Sequence, residues 1–181
     1  PLGQLQNQAY GYLFPQGLFF LLTDPLPDWI AQRLWWLIVV GVGFSGFFTL
    51  LNRLGRSKQG NEWSSTAFMV LAAMLYAFSP RTISTLGAIS SETWTVMLAP
   101  WVIVPFVQPI TRVGPAFRAV AVSVLAVAAM GAVNATATLA ACVPAGLYLL
   151  STLRQRPWYT LPAWVTGCAL VSAWWVGPLL V

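Results

Sequence analysis

Residues 29–51 read WIAQRLWWLIVVGVGFSGFFTLL, a long apolar run that is followed at once by the polar stretch NRLGRSK at 52–58. A helix needs about 20 predominantly apolar residues to cross the hydrocarbon core of a bilayer. The run therefore predicts a membrane-spanning helix that starts just after Pro27 and ends at the basic turn.

The rest of the chain repeats this pattern. Of its 181 residues 58% are hydrophobic and 7% are charged, and the mean hydropathy is +0.73, which is untypical of a soluble domain. Further apolar runs cover residues 63–78, 93–107, 117–133, 136–153 and 158–181. We expect an all-α membrane protein with five or six spanning helices. The span at 93–107 should be kinked at Pro100 and Pro105. Both ends of the chain read as cuts in a longer protein.

Basic residues alternate between the two sides of these predicted spans. The segments 52–62, 108–118 and 154–157 carry seven of the nine: Arg53, Arg56, Lys58, Arg112, Arg118, Arg154 and Arg156. The positive-inside rule makes this side cytoplasmic, which places Gly60 inside and Gly87 on the outer side of the membrane. The other side holds Arg33, Arg81, Asp24, Asp28 and Glu92. The net charge of +5 thus reflects topology rather than nucleic-acid binding.

Residues 1–28 form a separate, periplasmic juxtamembrane segment ahead of the helical core at 29–181. The run GLFFLL at 17–22 is too short to span a bilayer and predicts an interfacial or re-entrant element. The stretch before it is rich in amide and tyrosine side chains that suit sugar binding: Gln4, Gln6, Asn7, Gln8 and Tyr10. A solvated interfacial helix is the alternative interpretation of this stretch.

Arg81 and Glu92 bracket the stretch TISTLGAISS at 82–91, which predicts a hydroxyl-rich outer loop. Ionisable residues near the membrane favour a functional interpretation, with Arg81 binding a phosphate and Glu92 accepting from a hydroxyl or acting as a base. Alternatively, Ser90 or Ser91 caps the next helix, and Arg81 pairs with Glu92 or reaches the headgroups. Three residues at another outer helix end either cap that helix or face the cavity: Asn134, Thr136 and Thr138.

The chain has no motif for a cofactor. It contains no histidine, no metal-ligand spacing, no phosphate loop, no dinucleotide-binding glycine pattern and no nucleophile elbow. Cys142 and Cys168 lie inside apolar runs, which indicates buried structural thiols. Nothing in these residues decides whether a divalent metal is required. Composition and spacing therefore end at a membrane protein with a polar outer pocket.

Several motifs resemble those of one family. GQLQNQAYGYLFP at 3–15, QRLWW at 32–36, SPR at 79–81, TLGAISSE at 85–92 and APW at 99–101 are similar to segments of the large actinobacterial arabinofuranosyltransferases of the D type. The resemblance implies a C-type glycosyltransferase architecture, with transmembrane helices and amphipathic helices on the periplasmic surface. It also implies transfer from decaprenyl-phosphoryl arabinofuranose to the arabinan of arabinogalactan or lipoarabinomannan.

In such enzymes the carboxylate of an acidic residue acts as the base that deprotonates the acceptor hydroxyl, whose oxygen bonds to the anomeric carbon while the lipid phosphate leaves it. The resemblance places the main acid before Pro1, so within this chain Glu92 is the possible catalytic residue. Arg81, Ser90, Ser91 and the amide-rich stretch become candidate substrate-binding residues. The alternative functions are a transporter or flippase for a lipid-linked sugar and a non-catalytic membrane scaffold.

Overall fold

A computed structural model describes residues 13–55, 62–107, 113–131 and 134–177. Within these ranges the regular elements are helices, which confirms the predicted all-α class. They are α1 (Leu18–Leu22), α2 (Asp28–Gly55), α3 (Glu62–Ala77), α4 (Pro80–Leu86), α5 (Ser90–Ile103), α6 (Val113–Ala128), α7 (Ala135–Ser151) and α8 (Thr160–Val176). A π-helical turn at Leu13–Gly17 precedes α1, and 3-10 turns at Val104–Phe106 and Leu153–Gln155 follow α5 and α7.

Fewer helices are long enough to span a bilayer than the sequence predicts. Within the described ranges, α2 is the one helix long and apolar enough to cross a bilayer by itself. Residues Thr66–Ala77 meet the same criterion together with α4, but the pair is bent by 42°. The other apolar helices have 10–17 residues: Leu13–Leu22, Gly114–Ala128, Ala135–Ser151 and Thr160–Val176. Five or six spans are therefore not confirmed by helix length.

Helix α5 is the centre of the bundle and packs against α2, α4, α6 and α7. Its buried residues lie on every side: Ser91, Thr93, Trp94, Thr95, Met97, Leu98, Pro100 and Val102. A helix that is enclosed in this way is typical of the interior of a bundle. The helix continues through Pro100, and its geometry changes from α to 3-10 at Val104–Phe106, the turn that contains Pro105.

Helices α2 and α5 approach closely at two glycines of α2. A Cβ on Gly46 would lie 2.6 Å from Trp101 Nε1, and one on Gly43 would lie 2.0 Å from Met97 Sδ. The indole of Trp101 donates to Val42 O at 3.0 Å across the same contact. Small residues at such positions let helix backbones come together, so the glycines fix the distance between α2 and the central helix.

The two ends of α5 gather different parts of the chain. The N-terminal end meets the start of α2 through Trp35, the end of α3 through Tyr76 and the start of α7 through Asn134. The C-terminal end meets the end of α2 through Arg53 and the residues after α7 through Arg156. These contacts group the helix ends in the way that the alternation of basic segments predicts. Hereafter they are the N-terminal end and the C-terminal end of the bundle.

Candidate functional site

The stretch predicted as an outer loop is mostly a helix. Pro80–Leu86 forms α4, and a short turn at residues 87–89 leads into α5. The side chain of Ser79 caps α4 by accepting from the backbone N–H of Thr82, and Pro80 takes the first helical position. Ser-Pro is a recognised helix-start signal, so the loop prediction was wrong for a reason that the sequence itself contained.

A hydroxyl pair fastens α4 to α5. Thr85 Oγ1 and Thr93 Oγ1 are 2.9 Å apart, and Thr85 Oγ1 also donates to Arg81 O at 2.8 Å. Thr93 is buried and Thr85 is half-buried. The two threonines thereby set where the first turn of α4, which carries Arg81, stands relative to the central helix.

Between α4 and α5 lies an open pocket at the N-terminal end of the bundle. Its lining residues are Ser79, Arg81, Thr82, Thr85, Glu92, Thr93 and Val96. Its volume is about 30 Å³, which is room for roughly one or two water molecules. The structure thus brings Arg81 and Glu92 to one pocket, although their chemical roles are not tested by this proximity. As it stands, the space suits a small polar group rather than a whole sugar ring.

Arg81 and Glu92 do not neutralise each other. They form no ion pair, and the exposed Arg81 guanidinium has no hydrogen-bond partner among the described residues. Glu92 is half-buried in the first turn of α5, and Glu92 Oε1 accepts from Asn134 Nδ2 at 3.0 Å. The alternative interpretation, in which Arg81 pairs with Glu92, is therefore not found in this structure. A cationic donor group and a carboxylate acceptor remain available side by side for a ligand that carries both a phosphate and hydroxyls.

Ser90 and Ser91 lie outside the lining of this pocket, and the capping alternative for them is wrong. Ile89 occupies the N-cap position of α5 and makes no side-chain capping bond, so neither serine is the cap. Ser90 Oγ instead accepts from Trp35 Nε1 at 3.2 Å and from Gln16 Nε2 at 3.4 Å. Ser91 is buried, and neither serine lines the pocket. Although they precede Glu92 directly in the sequence, they do not line its pocket, because successive helical residues point in different directions.

Asn134 was considered as a cap or a cavity residue, and it does cap. Asn134 Oδ1 accepts from Ala137 N at 3.1 Å, at the start of α7. The same amide donates to Glu92, a role that the sequence did not suggest because the two residues are 42 positions apart. Thr138 Oγ1 bonds back to Asn134 O, and Thr136 is exposed outside the pocket lining.

The segment before α2 lies at the N-terminal end of the bundle. Phe19 and Phe20 pack on the ring of Trp35 with centroid distances of 5.3 Å and 6.5 Å, while Leu21 and Leu22 are exposed. This arrangement fits a short apolar element seated beside the helical core. The predicted sugar-binding residues Gln4, Gln6, Asn7, Gln8 and Tyr10 lie outside the described residues, as does Gly60.

At the C-terminal end of the bundle, arginines contact the backbone of α5 and of the turn that follows it. Arg53 Nη1 donates to Val104 O at 2.6 Å. Arg156 donates to Phe106 O and, at 2.8 Å, to Thr152 Oγ1, with its guanidinium over the rings of Phe106 and Tyr148. Sequence analysis assigned both arginines to topology alone, and the structure adds a packing role to each.

The described residues contain no group of three or more histidine, cysteine or acidic side chains that could hold a metal ion. Cys142 and Cys168 form no disulfide and are half-buried rather than fully buried. The chemistry available at the pocket is therefore that of one guanidinium, one carboxylate, hydroxyl groups and the amide behind them.

Comparison with known proteins places this chain in a family. The family described as alpha-(1->3)-arabinofuranosyltransferase, N-terminal GT-C domain, matches residues 1–181. The alpha-(1->3)-arabinofuranosyltransferase of Mycolicibacterium smegmatis is 46% identical over 100% of this chain, and that of Mycobacterium tuberculosis is 45% identical over 97% of it. The chain corresponds to 12% of the length of each of these two relatives.

Solved structures agree with the sequence comparisons. Two classes of a single-particle cryo-EM structure of arabinofuranosyltransferase AftD from mycobacteria superpose with TM-scores of 0.82 and 0.81. Each is 46% identical in sequence and covers 99% of this chain, which in turn covers 14% of that chain. The predicted resemblance is thus confirmed, and with it the assignment as a membrane protein. The chain belongs to the alpha-(1->3)-arabinofuranosyltransferase family and matches its N-terminal GT-C domain.

Proposed function

We propose that this chain forms part of the membrane core of an arabinofuranosyltransferase that uses a polyprenyl-phosphate donor. The donor is decaprenyl-phosphoryl arabinofuranose and the acceptor is a cell-wall arabinan, as the family resemblance implies. The observation that carries the proposal is the pocket in which Arg81 and Glu92, from two different helices, stand together without pairing. A flippase would also need a polar pocket, but it would move the lipid without transferring the sugar.

The roles follow from the chemistry of the two side chains. Arg81 binds the donor phosphate, because a guanidinium offers a planar fork of donors that matches phosphate oxygens. Glu92 accepts a hydrogen bond from a sugar hydroxyl and supports its deprotonation. The main acid is expected before Pro1, so Glu92 has a supporting role. The pocket is small but open, so a phosphate oxygen or a hydroxyl can enter it while the rest of the donor stays outside.

The proposal includes an orientation. The N-terminal end of the bundle, with the pocket and residues 1–28, faces the periplasm, and the C-terminal end with Arg53 and Arg156 faces the cytoplasm. The chain then crosses the inner membrane several times, with the shorter helices α6, α7 and α8 counted as spans. The charge distribution supports this orientation, since seven of the nine basic residues belong to the three segments that the positive-inside rule predicts to be cytoplasmic. Two of those residues, Arg53 and Arg156, contact the C-terminal end of the bundle.

The test uses purified full-length protein and transfer from the polyprenyl-phosphate donor to an arabinan acceptor. Arg81→Lys keeps the charge but loses the bidentate fork, so transfer should fall by about tenfold or more, which is about 1.4 kcal/mol of transition-state binding. The Glu92→Gln variant should lose transfer to a similar degree, and both variants should keep the wild-type melting temperature. Arg33→Lys is the matched control, because Arg33 lies over the ring of Trp29 and does not line the pocket.

Retained transfer in both the Arg81 and Glu92 variants would remove this pocket from the active site. Lipid translocation without sugar transfer by the wild-type protein would favour the flippase. A parallel loss of transfer and melting temperature would show that the two residues are structural.

A further inference from the structure

Asn134 links the start of α7 to the first turn of the central helix. We propose that Asn134 is a positioning residue that holds Glu92 with one carboxylate oxygen on the amide and the other open to the pocket. The inference rests on the proposed role of Glu92 and adds a residue, on a third helix, on which that role depends.

The orientation of the amide is determined by two bonds at once. Asn134 Oδ1 accepts from Ala137 N at 3.1 Å, so the oxygen must face α7 and the NH₂ group must face away from it. That NH₂ group is 3.0 Å from Glu92 Oε1. A carboxylate cannot donate, so it must face the nitrogen rather than the oxygen of the amide. The capping bond turns the amide nitrogen towards Glu92.

Asn134 is itself fixed by the helix that it caps. Its backbone oxygen accepts from Thr138 N at 3.0 Å and from Thr138 Oγ1 at 3.2 Å, and Thr138 is buried. A group that positions another must have few conformations of its own, which the first turn of α7 provides here. The side chain that holds Glu92 is thus itself held in place by the start of α7.

The support is neutral, which keeps the charge of Glu92 available. An amide donor is neutral and does not cancel the charge of a carboxylate, as a lysine or arginine partner would. Within the described part of the chain, Glu92 Oε2 has no hydrogen-bond partner and the other charged lining residue is Arg81. Asp28 and Arg33 of α2 do not line the pocket, and α7 contributes the neutral Asn134 at this place. The open oxygen is therefore free to accept from a ligand hydroxyl.

Capping and positioning can be separated by one substitution in the full-length protein. Asn134→Asp retains a good N-cap, because aspartate and asparagine are about equally effective there. It replaces the donor towards Glu92 with a second carboxylate, and two carboxylates this close repel each other. We expect an unchanged melting temperature and a kcat at least about tenfold below wild type. We also expect the acidic limb of the pH–rate profile to move to higher pH, because two neighbouring carboxylates hold a proton more readily than one.

Two further variants complete the experiment. Asn134→Ser also retains the cap but cannot reach Glu92, so kcat should fall without the shift of the acidic limb. In the double variant Asn134→Asp with Glu92→Gln, transfer should equal that of Glu92→Gln alone, because both changes act through the same carboxylate. Thr136→Ala is the control and should behave as wild type, because Thr136 lies two residues after Asn134 and is exposed.

The outcomes distinguish the two proposals. If Asn134→Asp and Asn134→Ser keep the wild-type kcat and pH profile while Glu92→Gln is impaired, Asn134 is a cap alone and the positioning role is overturned. If Glu92→Gln itself transfers at the wild-type rate, the proposed role of Glu92 fails first and the positioning role falls with it. A lower melting temperature in both cap-retaining variants would also overturn the inference, since it would show that the amide serves stability.

Discussion

The two ends of helix α5 use arginine in opposite ways. At the C-terminal end of the bundle, Arg53 and Arg156 donate to backbone carbonyls of the Val104–Phe106 turn. At the N-terminal end, the guanidinium of Arg81 has no partner among the described residues and faces a pocket. The same side chain therefore completes the hydrogen bonding of the fold at one end and stays available for a ligand at the other.

The difference follows from how a helix ends. The last carbonyls of a helix lack intrahelical partners, and here Pro105 also contributes no N–H to the turn that follows α5. Arginine carries five N–H donors and can satisfy such carbonyls from a neighbouring helix. At the N-terminal end the orphan groups are N–H donors, which an arginine cannot satisfy. A basic residue placed there needs another reason, and an anionic ligand provides one.

The contrast between the two ends of the bundle requires that they face opposite sides of the membrane. Gly87→Cys should react with an impermeant maleimide from the periplasmic side, and Gly60→Cys should not, both in a background lacking Cys142 and Cys168. A Cβ at Gly87 meets open space, so the substitution should leave the fold intact. The result is all or none, and both cysteines should react once the inner membrane is permeabilised. Labelling of the Gly60 variant alone in intact cells would invert the orientation.

The structural role of the C-terminal end predicts a stability effect. Arg156→Ala leaves Phe106 O and Thr152 Oγ1 without their donor, and hydrogen bonds to a charged group contribute about 1.5–3 kcal/mol. The free energy of unfolding in detergent should fall by about this amount, with transfer per folded molecule within about twofold of wild type. Arg154→Ala is the matched control, since Arg154 is exposed, and it should change stability by about 0.5 kcal/mol at most. Equal stability of the two variants would contradict the distinction between the ends.

The smallest effect concerns the helix that carries Arg81. Ser79→Ala removes the cap of α4 and should cost about 1 kcal/mol of stability. The KM for the donor should rise a few-fold, because Arg81 is less firmly placed and Ser79 itself lines the pocket. Ser84→Ala on the same helix is the control, since its hydroxyl bonds back to Arg81 O on the exposed side. Thermal unfolding and donor titration measure the two parts. An unchanged KM in a destabilised Ser79 variant would separate the cap from the pocket.

Sequence reasoning reached the pocket by chemistry rather than by geometry. Arg81 and Glu92 were singled out because charges are scarce in this chain, and the structure does bring them to one pocket. Ser90 and Ser91 do not line this pocket, and residues 82–91 are mostly helical rather than the predicted loop because Ser79 and Pro80 start α4. The bond from Asn134 to Glu92 could not be foreseen, because nothing in 42 intervening residues specifies how α5 and α7 align.

The sequence by itself determined that the chain is helical, that it belongs in a membrane, which basic segments share an end, and which family it resembles. These properties depend on composition and on local periodicity, which act within one helix or at its ends. Only the tertiary structure decided which polar groups satisfy one another: Arg53 and Arg156 with the end of α5, Trp35 with Ser90, and Asn134 with Glu92. These partners come from different helices, so their meeting depends on how the helices pack, and that depends on side-chain shape along each whole contact.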